Sequence, residues 1–314
     1  MAFDYSVHKL TGSIQHYSWG GTSFLPHLLS VENPNHKPFA EYWLGVHAGG
    51  PASVEVNQQS VLLSDIIASN PAEALSAPVF EHFGGLPYLF KVLDVKDMLS
   101  IQVHPTKEYA KLAFENEEAA GVPLTAPNRN YKDQNHKPEI MLAMSEFWLL
   151  HGFKSEAKII ETLESTAEFQ VLAPLFKAEG LKGLYQFLME MEQAQVDSLL
   201  SPVVKRALRN KQDGKNDKTS PEWWVAKLYE NGGGILPIDK GVFSIYLFNI
   251  VCVQPGQGIF QAAGVPHAYL EGQNVELMAN SDNVLRGGLT PKHIDVPELI
   301  KNINFEYIEP LIIE

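Results

Sequence analysis

Gln102 and His104 stand two apart in "MLSIQVHP" (98–105), where Leu99, Ile101 and Val103 alternate with Ser100, Gln102 and His104. Side chains two apart on a strand share a face. One face is therefore apolar, and the other carries a hydroxyl, an amide and an imidazole in a row. That row suits chelation, because two donors on one face converge on a common point. Two donors do not make a site, but others are available. Glu139 lies in "NHKPEIML", and His267 lies in "AAGVPHAYLEG" just after a Gly-Val-Pro turn. Two imidazoles, a carboxylate and a neutral amide oxygen resemble a catalytic Zn²⁺ site that keeps one position open for water or substrate. A neutral Gln leaves the ion more electrophilic than a second carboxylate would. Any one of these histidines alone is more ordinarily a hydrogen-bonding loop residue; the set of four is what points to metal.

A second group is cationic. Lys137 lies two before Glu139 and shares its face in a strand. Lys91 sits among apolar residues in "LFKVL", where an unpaired ammonium is costly. Arg286 in "NVLRGGLTPKH" is followed by Lys292. These cations suit a phosphate or a developing oxyanion; the plainer alternative is salt bridging with the surplus acids. In "NVELMANSDN", Glu276, Met278 and Asn280 share one face. Glu276 is a general base if that face looks into the same cavity, and a surface acid otherwise. Tyr269, two after His267, either lends its hydroxyl or packs. His16, His47, His136, His151 and His293 show no ligand spacing. Gly256-Gln257-Gly258 lacks the rest of a dinucleotide fingerprint and reads as a turn, and no Gly-x-Ser-x-Gly elbow occurs.

The elements that must hold these residues are mostly strands. Runs 87–95, 99–105, 138–144 and 147–153 read as strands punctuated by Gly and Pro. Residues 64–75 read as one or two short helices, and 106–121 as a helix closed by Gly121. From Lys154 the composition favours helix, with Leu184, Phe187, Leu188 and Met191 at helical spacing, and "NGGG" (231–234) ends the block. Strand-like runs return at 242–256, 258–270 and 273–281, and 296–303 reads as a last helix. The expected organisation is a discontinuous β-rich domain, 1–153 and 232–314, interrupted by an α-helical insertion over 154–231. The basic stretch Lys205–Lys218 reads as a solvated helix end and loop, with steering of an anionic substrate as the alternative.

Composition bounds the rest. The chain has 314 residues with 45% hydrophobic and 19% charged, an ordinary globular balance with ample core material. Its net charge of -13 gives no support for binding nucleic acid or an anionic membrane. Cys252 is the only cysteine, so no intrachain disulfide and no cysteine-based zinc site can form. The N-terminal stretch has no apolar signal-peptide core, and no run of ~18 apolar residues occurs. A cytoplasmic location is the expectation, as a monomer or weak homo-oligomer.

The blocks "IQHYSWGG" (14–21), "EYWLGVHAGGPA" (41–52), "LPYLFKVLDVKDMLSIQVHP" (86–105), "YKDQNHKPEIMLA" (131–143), "AGVPHAYLEG" (263–272) and "NSDNVLRGGLTPKHID" (280–295) together resemble the type I phosphomannose isomerases, zinc-dependent cupin enzymes. The resemblance implies a mainly β fold with an α insertion: a cupin-type jelly-roll barrel plus a helical domain. It implies one Zn²⁺ per chain on Gln102, His104, Glu139 and His267. It puts the family's active-site lysine on Lys137 and its catalytic arginine on Arg286, and pocket positions on Lys91, Ser100, Tyr269, Glu276, Asp282 and Lys292. The implied reaction is reversible isomerisation of mannose 6-phosphate and fructose 6-phosphate through a cis-enediol. Glu276, Lys137 and a metal-activated water are the candidate bases; Ser100 and Lys292, with Lys91, are the candidates for the phosphate. Long members carry a further C-terminal β domain, which is expected to be absent from a chain stopping at "NFEYIEPLIIE". The alternatives are another metal-dependent cupin enzyme such as a dioxygenase, or a sugar-phosphate-binding module without catalysis. Against the dioxygenase stands the Gln, since non-haem iron sites favour two His and one carboxylate.

Overall fold

The structure, a computed structural model, describes residues 7–232 and 234–314. Antiparallel strands form two facing layers. The first runs, neighbour to neighbour, Ile312–Ile313, Gly258–Gln261, Glu139–Ala143, His267–Ala279, Tyr88–Val95, Glu41–Leu44 and Ser13–Gln15. The second runs Phe248–Val253, Phe147–Phe153, the His267–Ala279 strand again, Gln102–Val103 and Leu285–Arg286. The 13-residue strand His267–Ala279 thus serves both layers. It changes layer at Gly272, whose φ of 129° suits glycine and whose Cβ, if present, would lie 2.7 Å from the Glu146 carbonyl oxygen. Tyr269 and Glu276 would be ~23 Å apart on a straight strand. They are instead hydrogen-bonded at 2.8 Å, so the strand bends back across the interior.

Alternation sets what each layer shows the interior. In Glu139–Ala143, Glu139, Met141 and Ala143 are buried while Ile140 and Leu142 are exposed. Leu93, Met141, Phe147, Leu149, Val253, Ile259 and Tyr269 fill the space between the layers. The apolar side of the Gln/His segment faces the other way: Ile101 and Val103 join one continuous core with helical residues such as Leu184, Leu200, Val204 and Trp224. The helical block therefore covers the apolar side and leaves the polar side to the interior. Its helices are Glu156–Ser165, Ala173–Glu190, Gln193–Gln212 and Pro221–Tyr229.

The mainly β fold with helical parts agrees with expectation, but the sheets are open rather than closed into a barrel. Three local expectations fail, one being 258–270, which is Gly258–Gln261, a turn, and then the start of the His267–Ala279 strand. Within 99–105 only Gln102–Val103 is paired as a strand. Residues 242–256 are not one strand: Gly241–Leu247 is a helix, and the strand starts at Phe248. Every residue of that helix is buried, so its apolar run has no face by which periodicity could tell helix from strand. Half of the basic stretch is paired within the fold, Arg206 with Glu168 and Glu222, Lys211 with Glu230, and Lys218 with Glu271, while Lys205, Arg209 and Lys215 are exposed, as a solvated helix end and loop would have them. Steering of substrate by this patch therefore finds no support. Among the described residues, no helix is long and apolar enough to cross a membrane.

Candidate metal centre

Register brings the four candidate ligands towards one place. Gln102 is directly opposite His267 on one side and Arg286 on the other. Directly opposed residues in antiparallel strands project to the same face. Glu139 comes from the facing layer, and His104 Nε2 and His267 Nε2 lie 3.4 and 3.3 Å from its two carboxylate oxygens. One ligand atom from each of His104, Glu139 and His267 falls within 4.8 Å of the others, and all three residues are buried.

The backbone decides which imidazole nitrogen carries hydrogen. His104 Nδ1 lies 2.9 Å from the Asn283 carbonyl oxygen, and His267 Nδ1 lies 2.9 Å from that of Val265. A carbonyl only accepts, so each Nδ1 carries a hydrogen, and Nε2 is the nitrogen left to face Glu139. Burial pushes His104 down to about 4, so it is neutral near pH 7. Its Nε2 is buried without a hydrogen-bond partner. Burial alone would raise Glu139, but the Lys137 ammonium, 3.2 Å from its carboxylate, holds it well below the usual carboxylate range. The bare Nε2 of His104 facing an ionised carboxylate is repelled unless a cation lies between them. The donor set therefore fits a divalent ion with nitrogen and oxygen ligands, as zinc requires.

The wall beside this centre carries a neutralised charge cluster. Lys91 Nζ is 3.3 Å from Glu276 and 3.4 Å from Glu41. Burial alone would lower Lys91, but Glu41, Glu276 and Glu139 outweigh it and hold the ammonium charged. Tyr269 donates its hydroxyl to Glu276. Burial, then the Glu139 charge, pushes Glu276 up. Glu41 also accepts from the Trp43 indole, whose ring lies 5.1 Å from the Lys91 ammonium.

A further group is cationic. Arg286 is half-buried and makes no ion pair among the described residues; burial lowers its pKa. Lys292 is lowered by burial and then by the field of Arg286. Lys132 is lowered chiefly by burial, with Arg129 and Arg286 adding to it and Glu117 opposing. Asp282 stands at the rim, where a hydrogen bond from His47 Nε2 at 3.0 Å holds it below its usual range. Ser100 is half-buried at the parity of Gln102.

The structure thus brings His104, Glu139, His267 and Lys137 to one centre with Gln102 in register beside His267, and Glu276, Tyr269 and Lys91 to one wall. Arg286 and Lys292 belong to the cationic group. Sequence reasoning misses Glu41, His47, Lys132 and Asn283. Glu41 is legible in "EYWL", where Glu41 and Trp43 share a face and need a buried partner. The others depend on contacts between segments more than a hundred residues apart, which no local pattern signals.

Comparison with known proteins agrees with this geometry. Residues 7–156 match the model of the phosphomannose isomerase type I catalytic domain. The chain is 39% identical over 305 residues to mannose-6-phosphate isomerase of Escherichia coli, covering 96% of this chain and 75% of that protein. It is 37% identical over 324 residues to the Homo sapiens enzyme of the same name, covering 95% and 73%. A crystal structure of mannose 6-phosphate isomerase from Salmonella typhimurium, bound to its fructose 6-phosphate substrate and a zinc atom, is similar with a TM-score of 0.83 and 39% identity. It covers 96% of this chain and 75% of that one.

Proposed function

The chain belongs to the type I phosphomannose isomerase family, and on that premise we propose how its residues carry the reaction. It is an aldose–ketose isomerase that interconverts mannose 6-phosphate and fructose 6-phosphate with zinc as cofactor. The observation that carries this reading is the convergence of His104, Glu139 and His267, with both Nδ1 atoms committed to backbone carbonyls.

Gln102, His104, Glu139 and His267 would hold the zinc. When bound, it supplies Lewis-acid polarisation of the sugar's carbonyl and hydroxyl oxygens. The protein must then take a proton from one of two adjacent carbons and return it to the other. Glu276 is the proton carrier in this reading. Its burial raises its pKa towards the working range, and a carrier that both accepts and donates needs that direction. Tyr269 and Lys91 hold its carboxylate in place. Lys137 is tied to Glu139 and keeps that ligand ionised. Arg286 faces the centre from the strand beside Gln102 and offers a guanidinium to the oxygen on which charge develops. Lys292 and Lys132, with the Ser100 hydroxyl, form the side that receives the phosphate. Lys91, already shared between two carboxylates, serves the proton carrier rather than the phosphate.

Residues 154–231 are read as a helical insertion in a discontinuous β domain, supported by the run of helices from Glu156 to Tyr229. A cytoplasmic enzyme acting as a monomer or weak homo-oligomer goes with this reading. Its test is metal analysis together with a coupled assay for fructose 6-phosphate. Chelation is expected to abolish turnover and added zinc to restore it; full activity of the metal-free protein would overturn the reading.

A further inference from the structure

The two metal-facing imidazoles are oriented in unlike ways. His267 is held by Val265, two residues away on the same turn. His104 is held by Asn283, 179 residues away, in the loop that leads to Arg286. That carbonyl can fix the ring only if Asn283 is itself fixed, and its side chain supplies the anchor. Asn283 is fully buried. Its Nδ2 donates to the carbonyl oxygens of Asp133 and Asn135, both at 2.8 Å, and its Oδ1 accepts from the Lys132 N–H at 2.7 Å. These partners belong to the segment that runs directly into Lys137 and Glu139. Asp133 returns the contact, accepting from the Ser281 hydroxyl at 2.9 Å and the Asp282 N–H at 2.9 Å.

We infer that Asn283 is a positioning residue of the metal centre: its carbonyl selects the His104 tautomer, and its amide ties that carbonyl to the segment delivering Glu139. One buried amide thus couples ligands that come from opposite layers. Without it, the 281–283 loop loses its anchor, the carbonyl drifts, and His104 is free to place its hydrogen on Nε2, where it cannot coordinate. The inference rests on the metal reading above but not on the isomerase activity.

The test has two readouts on the metal-free protein and one on metal binding. ¹⁵N-histidine NMR of the parent protein is expected to show His104 as the Nδ1–H tautomer; an Nε2–H tautomer would overturn the inference without any variant. In N283A, mixed tautomers are expected, and the zinc dissociation constant, measured by competition with a chromophoric chelator, should rise about 10–100-fold. N283D keeps the size and the acceptor but cannot donate to Asp133 and Asn135. It should behave alike, and it serves if N283A does not fold. A merely structural role would lower the thermal midpoint while leaving zinc affinity and tautomer unchanged. A folded variant with a single Nδ1–H signal and zinc affinity within about twofold of the parent would overturn the proposal.

Discussion

Lys91 and Arg286 are both cations of the candidate site, and the molecule treats them in opposite ways. Lys91 is buried with two carboxylates within 3.4 Å, so its charge is met before any ligand arrives. Arg286 is half-buried beside further cations and makes no ion pair among the described residues. A cation compensated internally shapes its neighbours; one left uncompensated at a pocket wall is held for an external anion. Lys154 offers a third condition: bonded to the Tyr246 carbonyl, and pushed down to about 8 by burial.

The largest expected effect lies on the compensated side. K91M should cost about 3–5 kcal/mol of stability, because it strands the Glu41 and Glu276 charges. Chemical denaturation measures this, and E41Q in the same chain should recover part of the loss. An unchanged midpoint would erase the distinction. Next is Arg286: R286A should lower kcat about 10²–10³-fold with bound zinc retained and stability within ~0.5 kcal/mol. A variant that lost zinc instead would move Arg286 into the metal's support. K154M sharpens the same contrast in pH. The folded pKa of about 8 lies below the unfolded value of ~10.4, so the unfolded chain binds more protons between them. The penalty is full below about pH 8 and fades as pH rises towards ~10.4. K154M should therefore gain about 1–2 kcal/mol at pH 7 and nothing above ~10.5, measured by denaturation at both pH values. The smallest effect is at Lys292: K292A should raise KM about 3–10-fold with kcat little changed, and the difference should shrink at high salt.

How much of this is legible in the sequence differs between the two groups. The Gln102/His104 pair, Glu139 and His267 can be nominated from residue type and strand parity, because a chelate needs only donors that share a face. Lys91 stands out as a charge in an apolar run, but its pairing with Glu41 does not, since Glu41 reaches it from a neighbouring strand far earlier in the chain. Arg286 is equally visible, yet its lack of a partner is a property of the folded surface. Asn283 is invisible because its work is done by a backbone carbonyl, which every residue type possesses. The Gly241–Leu247 helix reads as strand because complete burial erases the pattern on which such readings depend.

The bend at Gly272 gives the shared strand the form of a pair of compasses, with His267 at the tip of one arm and Glu276, the proposed proton carrier, on the other. The phenolic hydroxyl of Tyr269 spans the gap between the arms. A side chain at 272 would meet the Glu146 carbonyl and force the arms apart, so a lesion remote from substrate would be mistaken for damage to the chemistry.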